Sequence, residues 1–118
     1  YWDNVWLKVP FCAVYWGNRP TIDNQLTNIF KAGGAWNDTH FNNAEFEKLL
    51  VDARVELDQS KRAQQYAKMQ ELISQNAGMV HFATQDYLDA YNVKLQGLTV
   101  SGRYDLGDDR IAEKGWFA

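Results

Sequence analysis

Apolar residues recur at Phe46, Leu49, Leu50, Ala53 and Leu57, while Glu45, Glu47, Lys48, Asp52, Arg54 and Glu56 occupy most positions between them. This is the spacing of a helix that buries one face. A second stripe, Ala63, Tyr66, Met69, Ile73 and with it Leu72, follows Asp58, which is suited to cap a helix running through Asn76. Asn42 with Glu45 resembles a capping pair at the start of the first helix, and Asp58 with Arg62 has favourable i, i+4 charge spacing in the second. Two one-sided helices joined by a short connection bury their stripes against each other. Residues 42–76 therefore predict a helical hairpin, the largest unit of the chain. Its plainest role is packing, because charged outer faces are usually just solvated.

Upstream, residues 11–16 (Phe-Cys-Ala-Val-Tyr-Trp) are aromatic and β-branched between Pro10 and Gly17, which predicts a strand. Pro20-Thr21 then predicts a helix start, with Ile22, Leu26, Ile29 and Phe30 as its buried stripe and Gly33-Gly34 as its stop. Where the strand gives way to the helix, an aromatic face, an amide and a guanidinium converge. Tyr15, Trp16, Asn18 and Arg19 are thus candidate ligand-binding residues. Trp2 and Trp6 join them, since the aromatic side chains, 14% of the sequence, gather in this first part and are able to wall a pocket. Residues 1–10 predict an irregular or short helical approach.

Residues 35–42 are rich in turn formers and predict a loop; the Asn37-Asp38-Thr39 triplet within it matches a glycosylation acceptor that chance readily produces. Gly78 ends the second hairpin helix. Beyond it, residues 79–84 predict a short buried strand carrying His81, residues 86–91 a turn or short helix, and residues 93–95 and 98–100 strand-like stretches on either side of Gln96-Gly97. A Gly- and Asp-rich tail runs from Ser101 to Asp109, and Trp116-Phe117 form a closing anchor. The sum is an α+β segment, three helices packed with a few short strands.

Several chemistries lack their residues. Gly102 and Gly107 have the spacing of a phosphate loop, yet Asp108-Asp109 stand where Lys and Ser or Thr are needed. A calcium loop from Asp105 would need its closing Glu at Trp116. His40 and His81 lack zinc spacing, and no Gly-x-Ser-x-Gly elbow occurs. No catalytic residue, metal or cofactor is assigned, so the chain is not read as an enzyme. A net charge of −3 with scattered Lys and Arg argues against nucleic acid. No run of about 18 apolar residues exists to span a membrane. Cys12 is the sole cysteine and has no internal partner.

In order, Trp16-Gly17-Asn18-Arg19-Pro20-Thr21-x-Asp23, Trp36-Asn37-Asp38-Thr39, Phe46-Glu47-Lys48-Leu49-Leu50 with Ala53-Arg54, and Leu57-Asp58-x-x-Lys61-Arg62-x-x-x-Tyr66-x-x-x-Gln70-x-Leu72 form an ordered set of phrases. Together with Val93-Lys94-Leu95-Gln96-Gly97, the set resembles the C-terminal part of the family 5 extracellular solute-binding proteins. These are the peptide, opine and nickel receptors of ABC importers. The resemblance implies the C-terminal portion of a two-lobed periplasmic-binding-protein fold, expected here as a single segment of one lobe. Within it, residues 1–34 are the cleft strand and first helix, 42–76 the hairpin, and 79–118 the return strands and tail. It also implies capture of a small solute, a membrane permease as partner through the full-length protein, and a periplasmic or extracytoplasmic location.

Peptide receptors of that family place an Asp three residues after the Trp, against the peptide α-ammonium; this chain has Arg19 there. A guanidinium suits a carboxylate or phosphate instead, so the expected solute is a peptide or an opine-like acidic compound, with Arg19 suited to an anionic group such as that of an acidic amino-acid derivative. The alternative for Arg19 is a structural salt bridge to Asp23. The alternative for the whole chain is a hairpin interaction module without a small-molecule ligand, favoured if the hairpin exposes an apolar patch.

Overall fold

A computed structural model describes residues 1–118 and contains, in order, α1 (Ile22–Phe30), α2 (Ala44–Val55), α3 (Gln59–Asn76), β1 (Leu95–Gln96), α4 (Asp105–Asp108), α5 (Ile111–Lys114) and β2 (Trp116–Phe117). The chain is mostly helical with one small antiparallel pair, an α+β composition. It separates into two compact units, residues 1–80 and 81–118.

The first unit is built on helix ends that the sequence supplies locally. Thr21 caps α1, its hydroxyl accepting from the Asn24 N–H at 3.1 Å, so Pro20 lies one residue before the cap. Asp58 caps α3 by accepting from Ser60 and Lys61 N–H at 2.8 and 3.1 Å. Both bonds go to Oδ1; the expected Asp58–Arg62 pair is not made, and Arg62 donates instead to the Gln59 side-chain oxygen at 2.6 Å. The cap of α2 is Asn43 rather than Asn42: its Oδ1 accepts from Phe46 N–H at 2.9 Å. Glu47, one turn in, accepts from Ala32 N–H at 2.8 Å and ties α2 to the segment after α1. Gly78 takes a left-handed φ of 68° just past α3, the conformation that ends a helix cheaply with glycine.

The core gathers Leu26, Ile29 and Phe30 of α1, Phe41 of the loop, Phe46, Leu50 and Ala53 of α2, and Met69 and Leu72 of α3. Phe41 stands edge-on to both Phe30 and Phe46, with centroids 6.2 and 5.2 Å apart, the arrangement that ring quadrupoles favour. α2 packs on α3, and α1 on α2. Three expected stripe members fall outside this core. Ile22 at the start of α1 is 41% exposed, Ala63 is exposed, and Leu57, past the end of α2, is 89% exposed. On the surface, Arg54 spans from α2 to α1, donating to both Asp23 carboxylate oxygens at 2.8 and 3.2 Å and to the Thr27 hydroxyl at 2.6 Å.

The strands expected at residues 11–16 and 79–84 do not form. Residues 11–16 alternate between exposed and half-buried with a period of two, as a strand does, but no other strand lies in this unit to pair with them. Phe82 is 87% exposed, and His81, expected inside a buried strand, is exposed as well. Residues 86–91 form neither helix nor turn. Residues 1–10 form a series of turns, with Val5 N–H donating to Tyr1 O at 2.8 Å and Val9 N–H to Val5 O at 3.1 Å.

In the second unit the stretches around Gln96-Gly97 are not matched to one another. β1 instead pairs with β2, Leu95 opposite Phe117 and Gln96 opposite Trp116. Gly97 makes this possible: its φ is +82°, and a Cβ there would lie 2.3 Å from the Lys114 carbonyl and 2.4 Å from the Trp116 ring. Residues 98–100 remain outside the pair.

The side chains of Phe46 and Met69 are fully buried. Phe46→Ala is therefore expected to cost about 3–5 kcal/mol and Met69→Ala about 2–5 kcal/mol, whereas Ala63→Ser on the exposed face should stay within about 0.5 kcal/mol. Urea unfolding followed by far-UV circular dichroism measures all three.

Candidate functional site

The aromatic side chains of residues 1–36 enclose a recess of about 540 Å³ lined by Tyr1, Trp2, Trp6, Trp16 and Trp36, with Ala13, Val14, Tyr15 and Arg19. The rings follow one another in contact. Tyr1 and Trp2 meet edge to face at 5.2 Å, Trp2 and Trp6 at 5.4 Å, and Trp6 and Trp16 at 6.3 Å, while Trp36 lies tilted 6.1 Å from Trp16.

Two polar anchors hold these rings. The Tyr1 hydroxyl donates to the Ala13 carbonyl at 2.6 Å, closing the first turns against the 11–16 segment. Desolvation first, then its hydrogen bond with Cys12, push the Tyr1 phenol above its ordinary pKa. The second anchor is Asp38: Oδ2 accepts both the Trp6 and the Trp16 indole N–H, at 3.0 and 3.3 Å. Its other oxygen is buried without a hydrogen-bond partner.

Asp38 and Trp36 are placed by Asn37, the one buried polar residue, 5% exposed. Its Nδ2 donates to the carbonyls of Phe41 and Lys31 at 2.7 and 3.2 Å, and its Oδ1 accepts from Phe41 N–H at 3.0 Å and the Thr39 hydroxyl at 3.2 Å. An amide committed to this many bonds is not an acceptor for a glycan, so the triplet at residues 37–39 is a structural loop.

Arg19 lies over the Trp36 ring, its guanidinium carbon 5.7 Å from the centroid, and its Nη1 donates to the carbonyls of Gly17 and Asn18 at 3.1 Å each. The salt bridge to Asp23 considered from sequence does not form, because Asp23 is engaged by Arg54. That contact holds the Arg54 proton more tightly than usual. Arg19 keeps a cation–π contact worth about 0.5–1 kcal/mol where exposed and more where desolvated.

Of the residues singled out in sequence, Trp2, Trp6, Tyr15, Trp16 and Arg19 line one recess; Tyr15 is 90% exposed, and Asn18 contributes its carbonyl to Arg19 rather than a wall. Tyr1, Trp36 and Asp38 are additions. Their signal was available only in part: Trp36 and Asp38 sit in a loop of turn formers, where an aromatic beside an acid has no periodicity to mark it.

No helix is long and apolar enough to cross a membrane. Comparison with family models, with curated proteins and with solved structures finds no match to this chain.

Asn37→Ala removes four hydrogen bonds at once and leaves the Phe41 N–H without its partner. With about 1–3 kcal/mol per buried group left unpaired, it is expected to destabilise the first unit by about 2–4 kcal/mol. The same change should shift tryptophan emission to the red as Trp36 and Asp38 lose their placement. Asn37→Asp, which keeps the acceptor and loses the donor, should be no milder.

Proposed function

We propose that this chain is the C-terminal segment of the solute-binding component of an ABC-type importer. On this reading it works in the periplasm or another extracytoplasmic space and captures a small peptide or opine-like acid for a membrane permease. The observation that carries the reading is the aromatic recess with Arg19, a guanidinium lining it without an ion pair. The ordered sequence phrases from Trp16 to Gly97 lend it further support.

The physical logic is direct. A recess of about 540 Å³ lies within the usual range of ligand pockets, roughly 300–1,000 Å³, and its walls are apolar with few polar groups. Apolar solute surface gains by leaving water, at roughly 25 cal/mol per Å². Arg19 fixes orientation, since its fork is able to engage two carboxylate oxygens and Trp36 supports the guanidinium from one side. The site holds no base beside a nucleophile, so binding and release is the activity it suits.

Titration of the chain with opine-like dicarboxylic acids, read by tryptophan fluorescence, is expected to saturate. Arg19→Ala should weaken that binding about 10- to 100-fold, since hydrogen bonds to charged groups contribute about 1.5–3 kcal/mol. Equal affinity in both proteins removes Arg19 from the site. A flat response to every peptide and acid tried sets the solute reading aside.

One observation favours the hairpin as a docking module. Val51 and Val55, neighbours at i, i+4 on α2, are exposed together with Leu57. A hydrophobic dye whose fluorescence on the chain is lost in the Val51→Lys, Val55→Lys double variant, with solute affinity unchanged, would place an adhesive patch there; an unchanged dye signal removes it.

A further inference from the structure

The recess has two electrical poles. Arg19 lines it over the face of Trp36 and supplies a positive charge. Asp38 stands behind Trp6 and Trp16, on the side of their N–H edges, and supplies a negative one. An anion alone gains from Arg19 but meets the Asp38 field, and a cation alone meets the reverse. A solute carrying both charges satisfies both poles.

The kind of positive charge follows from the walls. No Asp or Glu lines the recess. A primary ammonium entering it would lose water from three N–H donors and find no carboxylate to replace it, a costly exchange. A quaternary ammonium has no N–H to satisfy. It is attracted instead by indole faces, the mode by which aromatic cages hold such groups. Trp6 and Trp16 are well set for this. Both line the recess with their N–H edges committed to Asp38 Oδ2, so neither offers that donor to a ligand, and a hydrogen bond from an indole N–H to a carboxylate pushes electron density onto the ring. The Asp38 Oδ1 atom is buried without a donor, so two indole N–H groups are all that offset the carboxylate charge behind the wall.

We infer that the recess selects a small zwitterion of the betaine type: a trimethylammonium against the faces of Trp2, Trp6 and Trp16, and a carboxylate at Arg19. The inference rests on the reading that the recess is a solute site, and it narrows the solute from a peptide or opine-like acid, whose ammonium carries N–H donors, to one whose ammonium is fully alkylated. Asp38 is a positioning residue in it, acting through the two indoles without touching the ligand.

Three probes of the full chain separate the terms, read by tryptophan fluorescence or calorimetry: trimethylglycine; 3,3-dimethylbutanoate, which has the same shape and carboxylate without the positive charge; and glycine, which has the charge with N–H donors. Trimethylglycine is expected to bind about tenfold more tightly than either. Asp38→Asn, whose amide oxygen still accepts from an indole, should shrink the preference for trimethylglycine over dimethylbutanoate to about threefold or less. It should also raise dimethylbutanoate affinity modestly, because that anion no longer meets the Asp38 field. A merely structural Asp38 would weaken both ligands alike, which overturns its role. Equal binding of trimethylglycine and dimethylbutanoate by the unaltered chain overturns the betaine assignment and leaves the solute site standing. No saturable binding by any of the three, nor by the dicarboxylic acids, overturns both.

Discussion

The buried amide of Asn37 is the contact on which the first unit depends. A loop between two helices brings backbone N–H and C=O groups toward an apolar core, and each must be paired or it costs about 1–3 kcal/mol. Asn37 pairs with the Lys31 carbonyl on one side and with both the N–H and carbonyl of Phe41 on the other. With those ends fixed, Phe41 turns inward between Phe30 and Phe46. Trp36 then meets Trp16, and Asp38 meets the Trp6 and Trp16 indoles. One polar side chain thereby joins the core of the unit to its recess.

The strength of the recess lies in orientation more than in stability. Aromatic pairs at these distances contribute about 0.5–1.5 kcal/mol each beyond the area they bury, and several of the rings remain partly exposed. Trp16 packs against the core, and the hydrogen bonds of Trp6 and Trp16 to Asp38 fix the orientation of the two rings. Asp38 bears the cost: a carboxylate accepting two indole N–H groups with its second oxygen buried and unpaired is poorly solvated for a charged group.

The hairpin and its caps were legible because they are local. Helical stripes and an Asp or Thr one residue ahead of them carry their structure within a few residues, and α1, α2 and α3 stand where the periodicity of Leu26, Phe46, Leu50 and Met69 puts them. The one-residue error at the α2 cap has the same origin. Asn42 and Asn43 are adjacent, and only the geometry decides which side chain reaches the amide three residues on. The aromatic recess was legible as a composition, since Trp2, Trp6 and Trp16 crowd one end of the chain. Asp38 was not, because its partners lie 22 and 32 residues away in sequence. The choice between Asp23 and other partners for Arg19 is likewise set by tertiary packing, as the competing Arg54 comes from another helix.

Strands fail differently from helices, and the reason is physical. A helix satisfies its own backbone, whereas a strand is only half of a hydrogen-bonded object. Val, Ile, Phe, Tyr and Trp therefore mark a segment that fits a pleated, half-buried surface, not one that has found such a surface. Residues 11–16 keep the period-two exposure of a strand while remaining unpaired, and residues 79–84 are mostly exposed. β1 forms because Trp116 and Phe117 bring a second edge to it, and because Gly97 admits the Trp116 ring where any Cβ would collide. The outcome at each β-rich segment was thus decided by the partner edge, information that lies elsewhere in the chain. The unpaired edge at residues 11–16 carries Trp16 and leads to Arg19, and the placement of these two rests on Asp38 and Trp36, side-chain anchors rather than a sheet. A recess anchored in that way is set by a few specific contacts, so its ring geometry responds to changes at Asp38 and Asn37 more than to the strand propensity of the segment that leads into it.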